Sequence, residues 1–305
     1  MGNGMTRQKS FIYISIIFLL LGLIIAWYAV SFWIYGADSV KFDGERAYAD
    51  VNAQTAVGPR TPGSAGHAEV REWIRAELEK ADWRVEVQQT QAMGHPVYNI
   101  VAKRSEAPPQ IILGVHYDTR FFADKDPEPA NQSEPVPGAN DGASGVAVLI
   151  ELARTLPQDC APLWLVFFDA EDQGRFEGWG WILGSRAFVD GLKYRPQAVV
   201  IVDMIGDADL NIYMEKNSDA TVRAEIWAAA AQLGYQEYFI PEEKYSILDD
   251  HTPFLEAGIP AVDLIDFDYP YYHTTQDTAD KVSAQSLKIT GETLWTWITA
   301  KKPQE

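Results

Sequence analysis

The 305-residue sequence predicts an α/β fold, with a mostly parallel, mixed central sheet flanked by helices on both faces and preceded by one N-terminal transmembrane helix. Three observations predict it. From Gln110 onwards short apolar runs alternate with helical stretches, the pattern of a parallel sheet wrapped by helices. Just upstream, RVEVQQT and VYNIVAK alternate apolar and polar residues as an antiparallel pair does, which makes the sheet mixed. Several of the apolar runs then end in His, Asp or Glu, as strands do where an open α/β sheet builds its site along the carboxyl edge.

Taken in order, residues 11–35 (FIYISIIFLLLGLIIAWYAVSFWIY) carry no charge and exceed the roughly 20 residues a bilayer-spanning helix needs. Arg7 and Lys9 precede the span, Asp38 and Asp43 follow it, and Trp27, Trp33 and Tyr35 sit at its far end as interface anchors. That asymmetry places residues 1–10 in the cytoplasm and the rest outside the membrane. The apolar core is too long for a cleaved signal peptide, and no small-residue cleavage site follows it. Residues 41–305 then read as one domain.

Within that domain a helix is predicted over 42–57, closed by the turn-forming GPRTPGS at 58–64, and an amphipathic helix over 68–81. The antiparallel pair occupies 84–90 and 97–103. Strands are predicted at 110–116, 162–168, 197–203, 211–214 and 260–265, and helices at 142–156, about 181–190, 219–233, from about Asp250 to 257, and 284–300. The proline-rich loop 119–137 has the length of a functional loop.

A net charge of −18 leaves no basic footprint and argues against nucleic acid as a partner. The single cysteine, Cys160, excludes an intrachain disulfide and, beside a strand start, is expected to be a buried structural thiol.

The centre of the pattern is GANDGASG at 138–145, a glycine-rich loop that turns directly into an apolar helix. Asp141 lies at that turn, held rigidly next to unpaired backbone N–H groups. Taken alone, Asp141 could be a helix cap, and any one histidine a structural one. His116, Asp141, Asp172, Asp203 and His273, however, all fall at strand or loop ends. Imidazole and carboxylate ligands suit zinc, which in catalytic sites takes three protein ligands and an open position. Asp118, two residues beyond His116, is placed to accept the second ring N–H of that histidine. His67 and His95 lack such company and are read as outside the site. Arg60 is expected to tie its turn to the acidic sheet edge.

The motifs HYD at 116–118, GANDGASGVAVLIELAR at 138–154, DAEDQG at 169–174, GSRAF at 184–188, VDMIG at 202–206 and PYYHTTQDT at 270–278 resemble the M28 zinc metallopeptidase family, over roughly residues 58–297. The resemblance implies a zinc aminopeptidase-like fold. In aminopeptidase members it implies two zinc ions bridged by Asp141, one completed by Asp172 and His273, the other by His116 and Asp203, with Glu171 as general base.

Three details resemble the glutaminyl cyclase (glutaminyl-peptide cyclotransferase) branch instead. These are the double acid Asp249-Asp250 before His251, the long Trp-bearing stretch QGRFEGWGWIL after Asp172, and the aromatic that precedes His273. That branch implies one zinc on Asp141, Asp172 and His273, an acid pair of Asp203 and Asp249 that grips the substrate amine, and Trp179 and Tyr272 as substrate-facing aromatics. Outside the resemblance, Asp249 could equally cap the helix from Asp250. Two departures stand out: Asp172 replaces the usual Glu, so the loop must move in or the metal must shift, and Tyr272 replaces the usual Trp.

The expected activity is conversion of N-terminal Gln of peptides to pyroglutamate with release of ammonia. The alternative is a zinc aminopeptidase cutting the first peptide bond, and the second alternative a non-catalytic binding ectodomain, which would be marked by a lost ligand or a lost Glu171. The partners implied are peptide or protein N-termini and, through the N-terminal helix, a membrane.

Overall fold

The structure, a computed structural model, describes residues 42–301. The predicted segments 1–10 and 11–35 lie outside the described residues; among those described, no helix is long and apolar enough to cross a membrane.

Helix α1 (Gly44–Ala56) starts at Asp43, whose side chain accepts the N–H groups of Glu45 and Arg46. Helix α2 (Ala65–Lys80) begins three residues before its predicted start, because Ser64 caps it by accepting the N–H of His67. Strands β1 (Arg84–Ala92) and β2 (His95–Lys103) form the expected hairpin. Its two turn residues, Met93 and Gly94, both have positive φ (50° and 87°), the geometry that matches the twist of paired strands.

The alternating region then follows: β3 (Ile111–His116), α3 (Ala143–Thr155), β4 (Leu163–Phe168), α4 (Leu183–Gly191), β5 (Ala198–Asp203), α5 (Ala220–Gln232), β8 (Ala261–Ile265) and α7 (Ala284–Thr299). The six-stranded sheet has the order β1-β2-β4-β3-β5-β8. Strands β4, β3, β5 and β8 run parallel, while β2 pairs antiparallel to β4. The mixed sheet predicted from the sequence is therefore observed.

Ile112, Val166, Phe168, Val199 and Ile201 project from one face onto Phe188 of α4 and onto Phe254 and Ile259. The other face carries α3, eleven of whose thirteen residues are buried, with α1 and α7 packed outside it. A helix apolar all round is one enclosed on all sides. Gly145 lets α3 approach closely: a Cβ there would lie 2.6 Å from the Val202 carbonyl oxygen and from Val115 Cγ2.

Three expectations need correction. A separate two-stranded parallel sheet joins β6 (Ile212–Met214) to β7 (Phe239–Glu243), and β7 was not predicted, since FIPEE has no apolar alternation. The helix expected from Asp250 to 257 shrinks to α6 (Thr252–Glu256), with no side-chain cap, so Asp249 does not cap it. Instead the Asp249 carboxylate accepts the N–H of Asp250. Cys160 is half-buried in the turn before β4, because Leu163 rather than the residues preceding it opens the strand.

Candidate metal centre

The ends of β3, β4 and β5 and the loop after β8 meet at one edge of the sheet. His116 is the last residue of β3 and Asp203 the last of β5. Asp141 is freed for another partner because the cap of α3 is Gly142, at φ 87°, and has no capping side chain. A Cβ on Gly142 would stand 2.9 Å from His116 Cε1 and from the His116 carbonyl oxygen, so this close approach requires glycine. Ala170, Met204 and His273 itself also have positive φ (53°, 47° and 58°). Non-glycine residues held in this region carry strain of the kind that concentrates at functional sites.

Two sets of side chains converge, sharing Asp141: Asp141, Asp172 and His273 form one, and His116, Asp141 and Asp203 the other, each with its donor atoms within 4.8 Å of one another. His273 Nε2 is 2.8 Å from Asp172 Oδ1 and 3.7 Å from Asp141 Oδ2, while His116 Nε2 is 3.1 Å from Asp141 Oδ1 and 3.2 Å from Asp203 Oδ1. Although His273 Nε2 is close to both carboxylates, it is not directed at either as a hydrogen bond. Asp141 Oδ2 and Asp172 Oδ2 are likewise buried without a hydrogen-bond partner. Two carboxylates and an imidazole that are buried and close, each with an atom lacking a hydrogen-bond partner, match the donor set of a zinc ion.

The electrostatics point the same way. Burial first, and then the neighbouring charge of Asp172, pushes the Glu171 carboxyl well above its usual range. Burial pushes Asp203 up to about 7; His116 pulls against the rise while the charges of Asp249 and Asp141 add to it. Burial also raises Asp172, opposed by His273. Asp141 by contrast is held below the usual range: burial raises it most, but His116 and then the charge of His273 together outweigh that rise. An excess of buried carboxylates over imidazoles at one edge of the sheet is a site that favours a cation.

The surrounding residues take further partners besides those expected of them. Asp118 Oδ1 faces His116 Nδ1 at 3.6 Å, an ion-pair contact longer than a hydrogen bond. The same carboxylate also accepts from the backbone N–H groups of Glu171 (3.0 Å) and Asp172 (3.3 Å) and from the Gln173 side chain (3.0 Å). It therefore holds the turn that carries the base and one ligand.

Trp179 is half-buried, stacked on His95 (3.7 Å between ring centroids) and met by the edge of Phe121 (5.1 Å). Trp181 is the tryptophan that lies along His273, with planes 13° apart and centroids separated by 6.0 Å. The same Trp181 pairs with Asp172 across an antiparallel bridge. The bridge places the Trp181 ring and the Asp172 carboxylate on the same side chain, His273, whose Nε2 stands 2.8 Å from Asp172 Oδ1. Tyr272 is half-buried with its ring 3.6 Å from that of His273.

His67 bonds Asp169 at 2.7 Å, and Arg60 donates to the carbonyls of Pro137 and Gly138, so both act in the scaffold. Behind the site, Asp249, His251 and Asp263 form a further buried group, with His251 lying between Glu215 (3.5 Å) and Asp263 (3.7 Å).

Sequence reasoning missed two residues. Asp277 accepts the N–H groups of Asn140 (2.8 Å) and Asp141 (3.1 Å) and the Tyr269 hydroxyl (2.7 Å), thereby anchoring the glycine-rich loop. The available signal was its place in the PYYHTTQDT motif. Arg120 is the other, and nothing in its local sequence marks it.

A cluster of two carboxylates and one imidazole at the carboxyl edge of a mixed α/β sheet, beside a buried glutamate, defines a zinc-enzyme site. Residues 99–298 match peptidase family M28, and the chain belongs to that family, whose related members are enzymes. It is 29% identical to a glutaminyl-peptide cyclotransferase of Drosophila melanogaster over 73% of this chain and 72% of that protein. Among solved structures, a glutaminyl cyclase of Tannerella forsythia superposes with a TM-score of 0.80 at 32% identity, over 86% of this chain and 99% of the other. A leucine aminopeptidase precursor of Bacteroides thetaiotaomicron superposes at 0.81 with 31% identity, over 86% and 98%.

Proposed function

We propose that the chain is a glutaminyl-peptide cyclotransferase that closes N-terminal Gln of peptides to pyroglutamate. The observation that carries this reading is the acid group beside the trio. Asp249, from the double acid before His251, acts electrostatically on both Asp203 and Glu171. A buried acid set of this kind, in which the charge of Asp249 adds to the raised proton affinity of Asp203 and of Glu171, suits a substrate amine that must be gripped and then deprotonated.

Asp141, Asp172 and His273 would hold a single zinc, which when bound supplies Lewis-acid polarisation of the substrate's side-chain carbonyl. Asp203 and Asp249 orient the α-amine. Glu171 takes a proton from that amine as its nitrogen bonds to the side-chain carbonyl carbon. The bond from that carbon to the amide nitrogen then breaks, and Glu171 returns the proton to the departing ammonia. Nucleophile and electrophile belong to one molecule, so correct positioning supplies much of the acceleration.

The second reading, an aminopeptidase, is favoured by the second donor set, His116, Asp141 and Asp203. There Asp203 would hold a second zinc, and Glu171 would activate a water against the first peptide bond. Metal counting on the purified chain, together with assays on a Gln-initiated peptide and on a leucine anilide, separates the two. One zinc with ammonia release supports the cyclotransferase, whereas two zincs with release of free amino acid overturn it. We also infer that residues 11–35 tether the enzyme with its site outside the cytoplasm; protease access to the domain in intact cells tests this.

A further inference from the structure

We propose that Arg120 is the positioning residue that sets the spacing of two of the zinc ligands, Asp172 and His273, and makes the short Asp172 side chain sufficient. The inference rests on the reading of Asp141, Asp172 and His273 as a zinc site.

Arg120 is 1% exposed, and every one of its N–H groups is engaged. Its Nε and one terminal nitrogen donate to the two oxygens of Asp124 at 2.7 and 2.9 Å, a paired fork. The other terminal nitrogen donates to the Asp172 carbonyl at 2.9 Å and faces Asp172 Oδ1 at 3.4 Å. The remaining N–H reaches the Gly174 carbonyl at 3.1 Å. The guanidinium plane lies between the rings of Phe176 (4.3 Å) and Trp181 (4.8 Å).

One cation thus touches both ligands' supports. It grips Asp172 directly, on backbone and carboxylate. It reaches His273 by two routes: through Asp124, whose Oδ1 stands 3.6 Å from His273 Nδ1, and through Trp181, which stacks along the His273 ring. Lysine cannot copy this, because a single ammonium cannot present a planar fork to three partners while stacked between two rings.

The test is zinc affinity, measured on the full-length chain by chelator competition, with thermal unfolding of the zinc-free chain as the control for folding. Arg120→Gln and Arg120→Lys should each weaken zinc by about 10- to 100-fold, the usual cost of removing a ligand's support. Asp124→Asn should weaken it less, and the Arg120→Gln/Asp124→Asn pair should cost no more than Arg120→Gln alone, because the two act as one unit. A folded Arg120→Gln chain with wild-type affinity overturns the inference, as does independent addition of the two effects. If Arg120→Gln does not fold, wild-type affinity in Asp124→Asn overturns it alone. A wild-type chain that takes up no zinc sinks the site itself and this inference with it, whereas tight zinc in the wild type with no change in the variants sinks only the role of Arg120.

Discussion

Asp118 Oδ1 accepts the backbone N–H of Glu171 at 3.0 Å, and the other oxygen of the same carboxylate accepts the N–H of Asp172 at 3.3 Å. One buried side chain therefore fixes both the base and the ligand that follows it. Successive residues of a turn point in different directions, so holding the turn holds both roles at once. Replacing Asp118 with Ala leaves two buried N–H groups without acceptors, at about 1–3 kcal/mol each. We expect a lower melting temperature and a fall of about 10- to 100-fold in kcat. Steady-state kinetics on a Gln-initiated peptide, with a thermal melt, check this.

Glu171 and Asp172 are neighbours with different tasks, and mutation should separate them. Glu171→Gln should keep the zinc content and lose about 10²- to 10⁴-fold in kcat, since it removes only proton transfer. Asp172→Ala should lose the zinc. Metal analysis beside turnover reads both, and substantial turnover in Glu171→Gln would remove it from the role of base.

The two tryptophans of the 173–183 loop should differ in kind. Trp181 lies along His273 and over Arg120, so Trp181→Ala should lower zinc affinity and kcat by about tenfold or more. Trp179 is clamped between His95 and Phe121, and Trp179→Ala should cost about 0.5–1.5 kcal/mol in stability per lost aromatic contact while leaving zinc affinity unchanged. Equal losses of zinc affinity in the two variants would contradict this division.

Acid should unfold the protein partly through Glu215. Burial opposes its ionisation, but His251 and the backbone N–H groups of Asn217 and Ile247 overcome this and hold its carboxyl at about 2, below the ordinary 4.5. A value depressed by folding contributes stability in full above the unfolded value, and the contribution disappears as the pH falls through about 2. Glu215→Gln should therefore destabilise the protein near neutrality, on the order of 2 kcal/mol once screening is allowed for, and the gap should narrow from about pH 4.5 downward and close as the pH falls through about 2. Urea melts of both chains between pH 2 and about 7 measure it.

The order of the elements and the residue types at the strand ends were legible because both are written locally. Apolar period and turn residues mark β3, β4, β5 and β8, and each ends where the site begins. β7 escaped because FIPEE has no period to read, and α6 is shorter than expected because Pro253 marks its first turn, which starts at Thr252 rather than Asp250.

What the sequence alone determined was the alternating fold, the acid and imidazole positions, and the family resemblance they carry. Tertiary structure decided which partners those residues take. Asp118 serves the Glu171 turn as well as facing His116, Asp277 holds the Asp141 loop from 136 residues away, and Arg120 joins Asp172 to Asp124. The reason is physical: periodicity and capping are properties of neighbours along the chain, whereas a buried charge takes whichever donors the packing of distant segments brings within about 3 Å.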